Sequence, residues 1–171
     1  MIESLALKIA IGIKQSAPNH PSSVDVLKYG LALLLNIVFI ITGSLMISMV
    51  TGKVTHVVAI LISFAVLRQL TGGIHLKSGM SCMICSITLF TVVSFANFDG
   101  YYVELLTGAS LLLILLFAPS GMNEQSAIPE RYYPLLKLIA LILVSLNFII
   151  VSPVIAASFF IQSLTIVRGR R

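Results

Sequence analysis

Charge is what this chain has least of. Of 171 residues only 10% are Asp, Glu, Lys or Arg, whereas 58% are hydrophobic, and the mean hydropathy is +1.06. A soluble domain carries about 25% charged residues, so these charges could not cover a water-facing surface. Internal repeats and low-complexity tracts are also lacking, and no loop is long enough to hold a soluble domain. Basic residues do not interleave with aromatics on one face, which argues against nucleic acid as a partner. The opening stretch, MIESLALKIAIGIKQSAPNHPSSVD, lacks the charged, apolar and cleavage-site order of a signal peptide. The expectation is a single all-α unit over residues 1–171, a polytopic bundle embedded in the lipid bilayer.

About 20 mostly apolar residues cross the hydrocarbon core as a helix. Six runs are candidates: Leu27–Val50, Thr55–Leu70, Met80–Ala96, Val103–Ala118, Leu135–Val151 and Val154–Val167. The second and last are short. The segment VSPVI, Val151–Ile155, reads either as a tight turn between two spans or as a proline kink in one long helix. The count is six, with five as the alternative.

Lysine and arginine set the orientation. Six spans place Lys8, Lys14, Lys28, Arg68, Lys77, Arg131, Lys137, Arg168, Arg170 and Arg171 on one side, ten of the eleven basic residues. The other side receives Lys53 and the acidic loop Asn97–Glu104. Both termini are then expected on the cytoplasmic side of the cell membrane, and the net charge of +5 mostly reflects this bias. Five spans would move the Arg168–Arg171 tail outside.

Ahead of the first run, Ile2, Leu5, Ala6, Ile9 and Ile13 recur at helical spacing, opposite Glu3, Ser4, Lys8, Lys14 and Gln15. Leu7 and Ile11 interrupt the polar face. The segment reads as an amphipathic helix lying on the inner leaflet, ended by Ala17–Pro21. Packing against the bundle is the alternative.

The polar interruption RQLTGGIHLKSGMSCMICS, Arg68–Ser86, holds the candidate chemistry. His75 and Cys82 stand seven residues apart. On one continuous helix that separation would be about 10 Å, too far for a thiol–imidazole hydrogen bond. Gly72, Gly73 and Gly79 argue for a break instead, with Ser78 as a helix-start residue. The chain can then fold back so that His75 leans over the start of the third span. Positive potential from a helix N-terminus, an imidazole, Arg68 and Lys77 favours a thiolate. The spacing suits Cys82 as nucleophile and His75 as general base. Spacing alone leaves this open, because cysteine in a membrane helix is ordinarily a small core residue and a loop histidine ordinarily solvated. Arg68 has an equally ordinary role as a snorkelling cation at a helix end.

Cys82 and Cys85 also form a C-x-x-C, which with His75 raises a metal or redox site. A closed zinc site needs four ligands; His56 falls near the opposite membrane face and His20 in the N-terminal loop. No metal or other cofactor is expected, and Cys85 reads as a helix residue. From another class altogether, a small transporter or binding protein would use the glycines and His75 as a broken-helix site. At this length it would need a dimer.

The motif RQLTGGIHLKSGMSC resembles the signature of the AgrB family (accessory gene regulator B), whose arginine, Gly-Gly, histidine and cysteine correspond to Arg68, Gly72, Gly73, His75 and Cys82. Val24–Leu35 resembles the start of that family's first span, and Leu116–Lys137 its Ala-Pro-containing cytoplasmic loop. Here that loop offers only Arg131 and Lys137 as basic residues, interrupted by Glu124 and Glu130. The resemblance implies a membrane cysteine endopeptidase of quorum sensing, acting on a precursor peptide (AgrD-like) near the cytoplasmic face. It further implies an acyl-enzyme on Cys82 and cyclisation of the product to a thiolactone autoinducing peptide. Arg68, Gly72, Gly73 and Lys77 would support substrate binding or electrostatics. Gln69, Ser78, Glu124 and Glu130 could each orient His75, and the sequence does not choose among them. Short spans in so small a bundle suit a homodimer.

Overall fold

The structure, a computed structural model, describes residues 2–19, 21–73, 79–120 and 129–168. His20, His75, Lys77, Ser78 and Glu124 lie outside the described residues, as do Arg170 and Arg171. Eight α-helices occupy the described chain: α1 Ile2–Ser16, α2 Val24–Thr51, α3 Val54–Thr71, α4 Gly79–Val93, α5 Gly100–Phe117, α6 Tyr133–Ser145, α7 Asn147–Ile150 and α8 Pro153–Arg168. The all-α membrane bundle expected from composition is what the chain forms.

Helix ends follow local chemistry. Ser23 caps α2 by accepting from the Val26 amide at 3.3 Å, so α2 begins three residues ahead of its apolar run. Gly52 closes it with a left-handed φ of 69°. Only Gly52 and Lys53 separate α2 from α3, which makes the two antiparallel. Pro134 lies in the first turn of α6, where its missing N–H costs nothing.

Among the described residues four stretches are long and apolar enough to cross a membrane: Val24–Thr51, Val54–Thr71, Gly100–Phe117 and Glu130–Ile150. The other two apolar helices, α4 and α8, have 15 and 16 residues, or about 22–24 Å at 1.5 Å per residue. Six apolar helices thus stand where six runs were read, while by length four of them qualify as spans.

The segment Val151–Ile155 is a turn, not a kink. Helix α7 ends at Ile150, Val151 takes a positive φ of 51°, and α8 starts at Pro153. Asn147 holds this turn from a fully buried position: its Oδ1 accepts from the Ser152 amide at 3.2 Å, and its Nδ2 donates to Thr107 Oγ1 at 3.0 Å.

Although short, α8 is the central helix. It packs against α3, α5 and α4, and buries Val154, Ala156, Ala157, Ser158, Phe159, Gln162, Ser163 and Ile166. Phe159 and Ile166 join Leu67, Ile114, Ala140 and Val144 in one apolar cluster. Val154 and Ala157 join Ile60, Phe90 and Val93 in another.

Helix α1 packs on α2 through Ile2, Ala6 and Ala10, whereas Leu5 and Ile9 are 42% and 37% exposed. Of the apolar stripe read in the sequence, Ile2 and Ala6 thus pack on the bundle while Leu5 and Ile9 stay on the outer surface. Ala6 and Ala10, small residues four apart, let the two helices approach closely, leaving Leu5, Leu7, Ile9 and Ile11 on the outer surface.

Candidate functional site

Helices α3 and α4 run antiparallel. His56, near the start of α3, bonds through Nδ1 to the Ser94 carbonyl at 2.8 Å, just beyond the end of α4. Phe64 and Phe90 stack edge to face with centroids 5.1 Å apart. The same register brings the end of α3, with Arg68, to the beginning of α4, with Cys82. His56 accordingly sits at the far end of the bundle from Cys82, as the six-span reading requires.

Cys82 is the fourth residue of α4 and is half-buried. Arg68, in the last turn of α3 and also half-buried, interacts electrostatically with it. Cys85, one turn further on, is exposed, and both cysteines are free thiols. Among the described residues no group of three His, Cys, Asp or Glu side chains gathers as a metal site.

The glycine pair ends α3 in a conformation that demands glycine. Gly72 has φ 75° and ψ −147°, and Gly73 has φ 135°, regions that side chains with a Cβ avoid. Space excludes a side chain at Gly73 as well, since a Cβ there would come within 2.6 Å of Thr165 Oγ1.

Two elements distant in sequence hold this bend. The Gly73 amide donates to the Ser120 carbonyl at 3.1 Å, and the Ser120 amide donates to the Thr71 carbonyl at 3.0 Å. From α8, Gln162 Nε2 donates to the Gly72 carbonyl at 2.7 Å and lies 3.4 Å from Thr71 Oγ1. Thr71, Gly72 and Gly73 are all buried.

The structure thus brings together Arg68, Gly72, Gly73 and Cys82 at one end of the bundle. Of the residues read as able to orient the histidine, Gln69 and Glu130 are exposed. Ser120, Gln162 and Thr165 were not found by sequence reasoning. Gln162 did carry a signal: it is the one amide side chain in the last apolar run, and a polar group inside a membrane helix needs a reason to be there.

A multi-pass helical membrane protein with a half-buried cysteine at a helix start, an arginine against it and a glycine-paired bend beside them is the class these features define. Within that class, residues 6–167 match the family model AgrB, accessory gene regulator B, and the chain belongs to the AgrB family. A curated AgrB-like protein of Halalkalibacterium halodurans is 32% identical over 151 residues, covering 88% of this chain and 77% of that one. An AgrB-like protein of Listeria innocua is 30% identical over 119 residues, 67% of this chain and 58% of the other. No solved structure matches the chain.

Proposed function

We propose that this chain is a single-domain membrane cysteine endopeptidase that removes the C-terminal part of a quorum-sensing precursor peptide and promotes cyclisation of what remains. Membership of the AgrB family supports a role in autoinducing-peptide processing. The observation that carries the chemistry is Cys82, half-buried in the first turn of α4, with Arg68 against it.

In the proposed reaction the Cys82 thiolate attacks a backbone carbonyl of the precursor after His75 has taken the thiol proton. The C–S bond forms, the C–N bond breaks, and the imidazolium returns its proton to the departing amine. The C-terminal fragment leaves and a thioester remains on Cys82. A thiol of the precursor, its proton taken by His75, then attacks that thioester; the new C–S bond closes a thiolactone, the C–S bond to Cys82 breaks, and the Cys82 thiolate is released beside the imidazolium. Exclusion of water from a site at the membrane edge favours this transfer over hydrolysis. Arg68 and Lys77 serve as electrostatic support for the thiolate or for acidic groups of the substrate, and Gly72 and Gly73 shape the bend that leads to His75.

The proposed topology puts both termini and the active site on the cytoplasmic side, where thiols stay reduced. Helix α1, with Leu5, Leu7, Ile9 and Ile11 on its outer surface, would guide the precursor along the inner leaflet. A homodimer is part of the same proposal.

Reconstitution with the cognate precursor in liposomes, with cleavage followed by mass spectrometry, tests the function. Cys82→Ser and His75→Ala should abolish cleavage while Cys85→Ser retains it, and a trapped acyl adduct should map to Cys82. Normal cleavage by Cys82→Ser would overturn the nucleophile assignment. A small transporter, the alternative class, would hardly respond to exchange of one sulfur for oxygen.

A further inference from the structure

The end of the bundle opposite Cys82 carries a cavity of about 330 Å³, lined by Lys53, His56, Phe95, Asn97, Ser152 and Val154 among others. Three elements meet there: the turn between α2 and α3, the segment that follows α4, and the turn ahead of α8. Lys53 is half-buried, and its Nζ stands 5.7 Å from the Phe95 ring centroid. A ring at that distance attracts an ammonium without cancelling its charge. Asp99 and Glu104, the acidic residues at the start of α5, are exposed, and among the described residues neither pairs with Lys53.

The polar groups around this ammonium are of two kinds. His56 Nδ1 donates to the Ser94 carbonyl at 2.8 Å, so in the neutral imidazole Nε2 is left as an acceptor, and no partner for it occurs among the described residues. Ser152 Oγ accepts from the Ile155 amide at 3.4 Å, which leaves its own hydroxyl proton to donate. Asn97 adds an exposed amide on the rim.

An ammonium, a hydroxyl and an amide that donate, beside one ring nitrogen that accepts, complement a phosphate diester with a hydroxyl on its head. We infer that this cavity binds the headgroup of an anionic phospholipid, its phosphate on Lys53 and Ser152 and its head hydroxyl donating to His56 Nε2. Position selects a lipid over a free anion. Val54, Val92, Phe95 and Phe98 flank the polar lining residues in sequence, and all four are exposed. Apolar and aromatic side chains at the end of a membrane helix meet acyl chains and the headgroup boundary, so tails and phosphate find complementary surface together. A lipid held there bridges α3, the end of α4 and the start of α8, and binding confined to the folded chain stabilises it.

The test titrates the full chain in detergent with phosphatidylglycerol, phosphatidylmethanol or phosphatidylcholine of equal chain length. Bound lipid is counted by native mass spectrometry, and thermal melting is followed in parallel. Phosphatidylmethanol keeps the tails and the charge but has no head hydroxyl. Phosphatidylglycerol should saturate at one tightly held molecule per chain, raise the Tm, and bind about three- to tenfold more tightly than phosphatidylmethanol. Phosphatidylcholine should bind most weakly. Lys53→Gln should weaken phosphatidylglycerol binding by about fivefold or more, while Lys8→Gln, the same charge change on the exposed side of α1, leaves it as in the parent. Inorganic phosphate and glycerol phosphate should leave the Tm where it was.

Equal binding of all three lipids by the parent chain overturns the inference, and this comparison holds even where a Lys53 variant fails to fold. Equal weakening by Lys53→Gln and Lys8→Gln overturns it too, by reducing the effect to attraction at a basic surface. Stabilisation by inorganic phosphate or glycerol phosphate to the same extent as by phosphatidylglycerol overturns the lipid assignment in favour of a free anion. Equal affinity for phosphatidylglycerol and phosphatidylmethanol overturns the role given to His56.

Discussion

Gly73 and Thr165, far apart in sequence, are so close in space that a Cβ on the glycine would stand 2.6 Å from the threonine hydroxyl oxygen. The backbone φ of 135° at Gly73 disfavours a side chain independently. Gly73→Ala should therefore lose about 1–3 kcal/mol from backbone strain alone, and Thr165→Ala should relieve only the steric part. Thermal melting in detergent of the single and double variants separates the two contributions. Full recovery in the double variant would rule out the backbone component.

Arg68 against Cys82 gives a second prediction. Arg68→Gln should slow alkylation of Cys82 at neutral pH by about three- to tenfold, and Arg68→Lys should recover part of the rate because charge is kept and fork geometry lost. Equal rates in all three proteins would reduce Arg68 to a snorkelling cation.

Asn147 makes a prediction about stability and none about chemistry. Its side chain satisfies the Ser152 amide and the Thr107 hydroxyl from a fully buried site. Asn147→Leu should destabilise the protein by about 1–3 kcal/mol through the unpaired groups left behind, with alkylation of Cys82 unchanged in the protein that remains folded. A drop in Cys82 reactivity would mean that the turn and the site are coupled through α8.

Topology is testable by accessibility. In a Cys82→Ser, Cys85→Ser background, a cysteine at Asn97 should react with an impermeant maleimide added outside intact cells, and a cysteine at Arg131 should react only after permeabilisation. The reverse pattern would invert the proposed orientation.

Much of this architecture was legible because hydropathy reports burial in lipid directly. Each of the six apolar runs holds a helix, and the bounds differ mainly where caps decide them, as at Ser23 ahead of α2. The Arg68, Gly72, Gly73 and Cys82 cluster was legible because it lies in a polar, glycine-rich interruption between apolar runs. On α1 two residues of the stripe, Ile2 and Ala6, are buried together with Ala10 against α2, a partner that helical periodicity alone could not specify. The central place of α8 could not be read at all. Its apolar run looks weaker than the lipid-facing ones, because a helix surrounded by protein can afford Ser158, Gln162, Ser163 and Thr165. The link from Gln162 to Gly72 joins residues ninety apart in sequence and exists only once α3 and α8 have packed.

Helix α4, with its 15 residues, falls short of a hydrocarbon core about 30 Å thick. A bilayer meeting so short a helix thins or draws its headgroups inward around it, at a modest free-energy cost for each ångström of mismatch. Cys82 lies in the first turn of that helix, so such a dip would lie beside the thiol. In the proposed reaction lipid acyl-chain length thereby becomes a variable: thicker membranes would raise the cost of bringing a polar peptide backbone to the sulfur, and thinner ones would lower it.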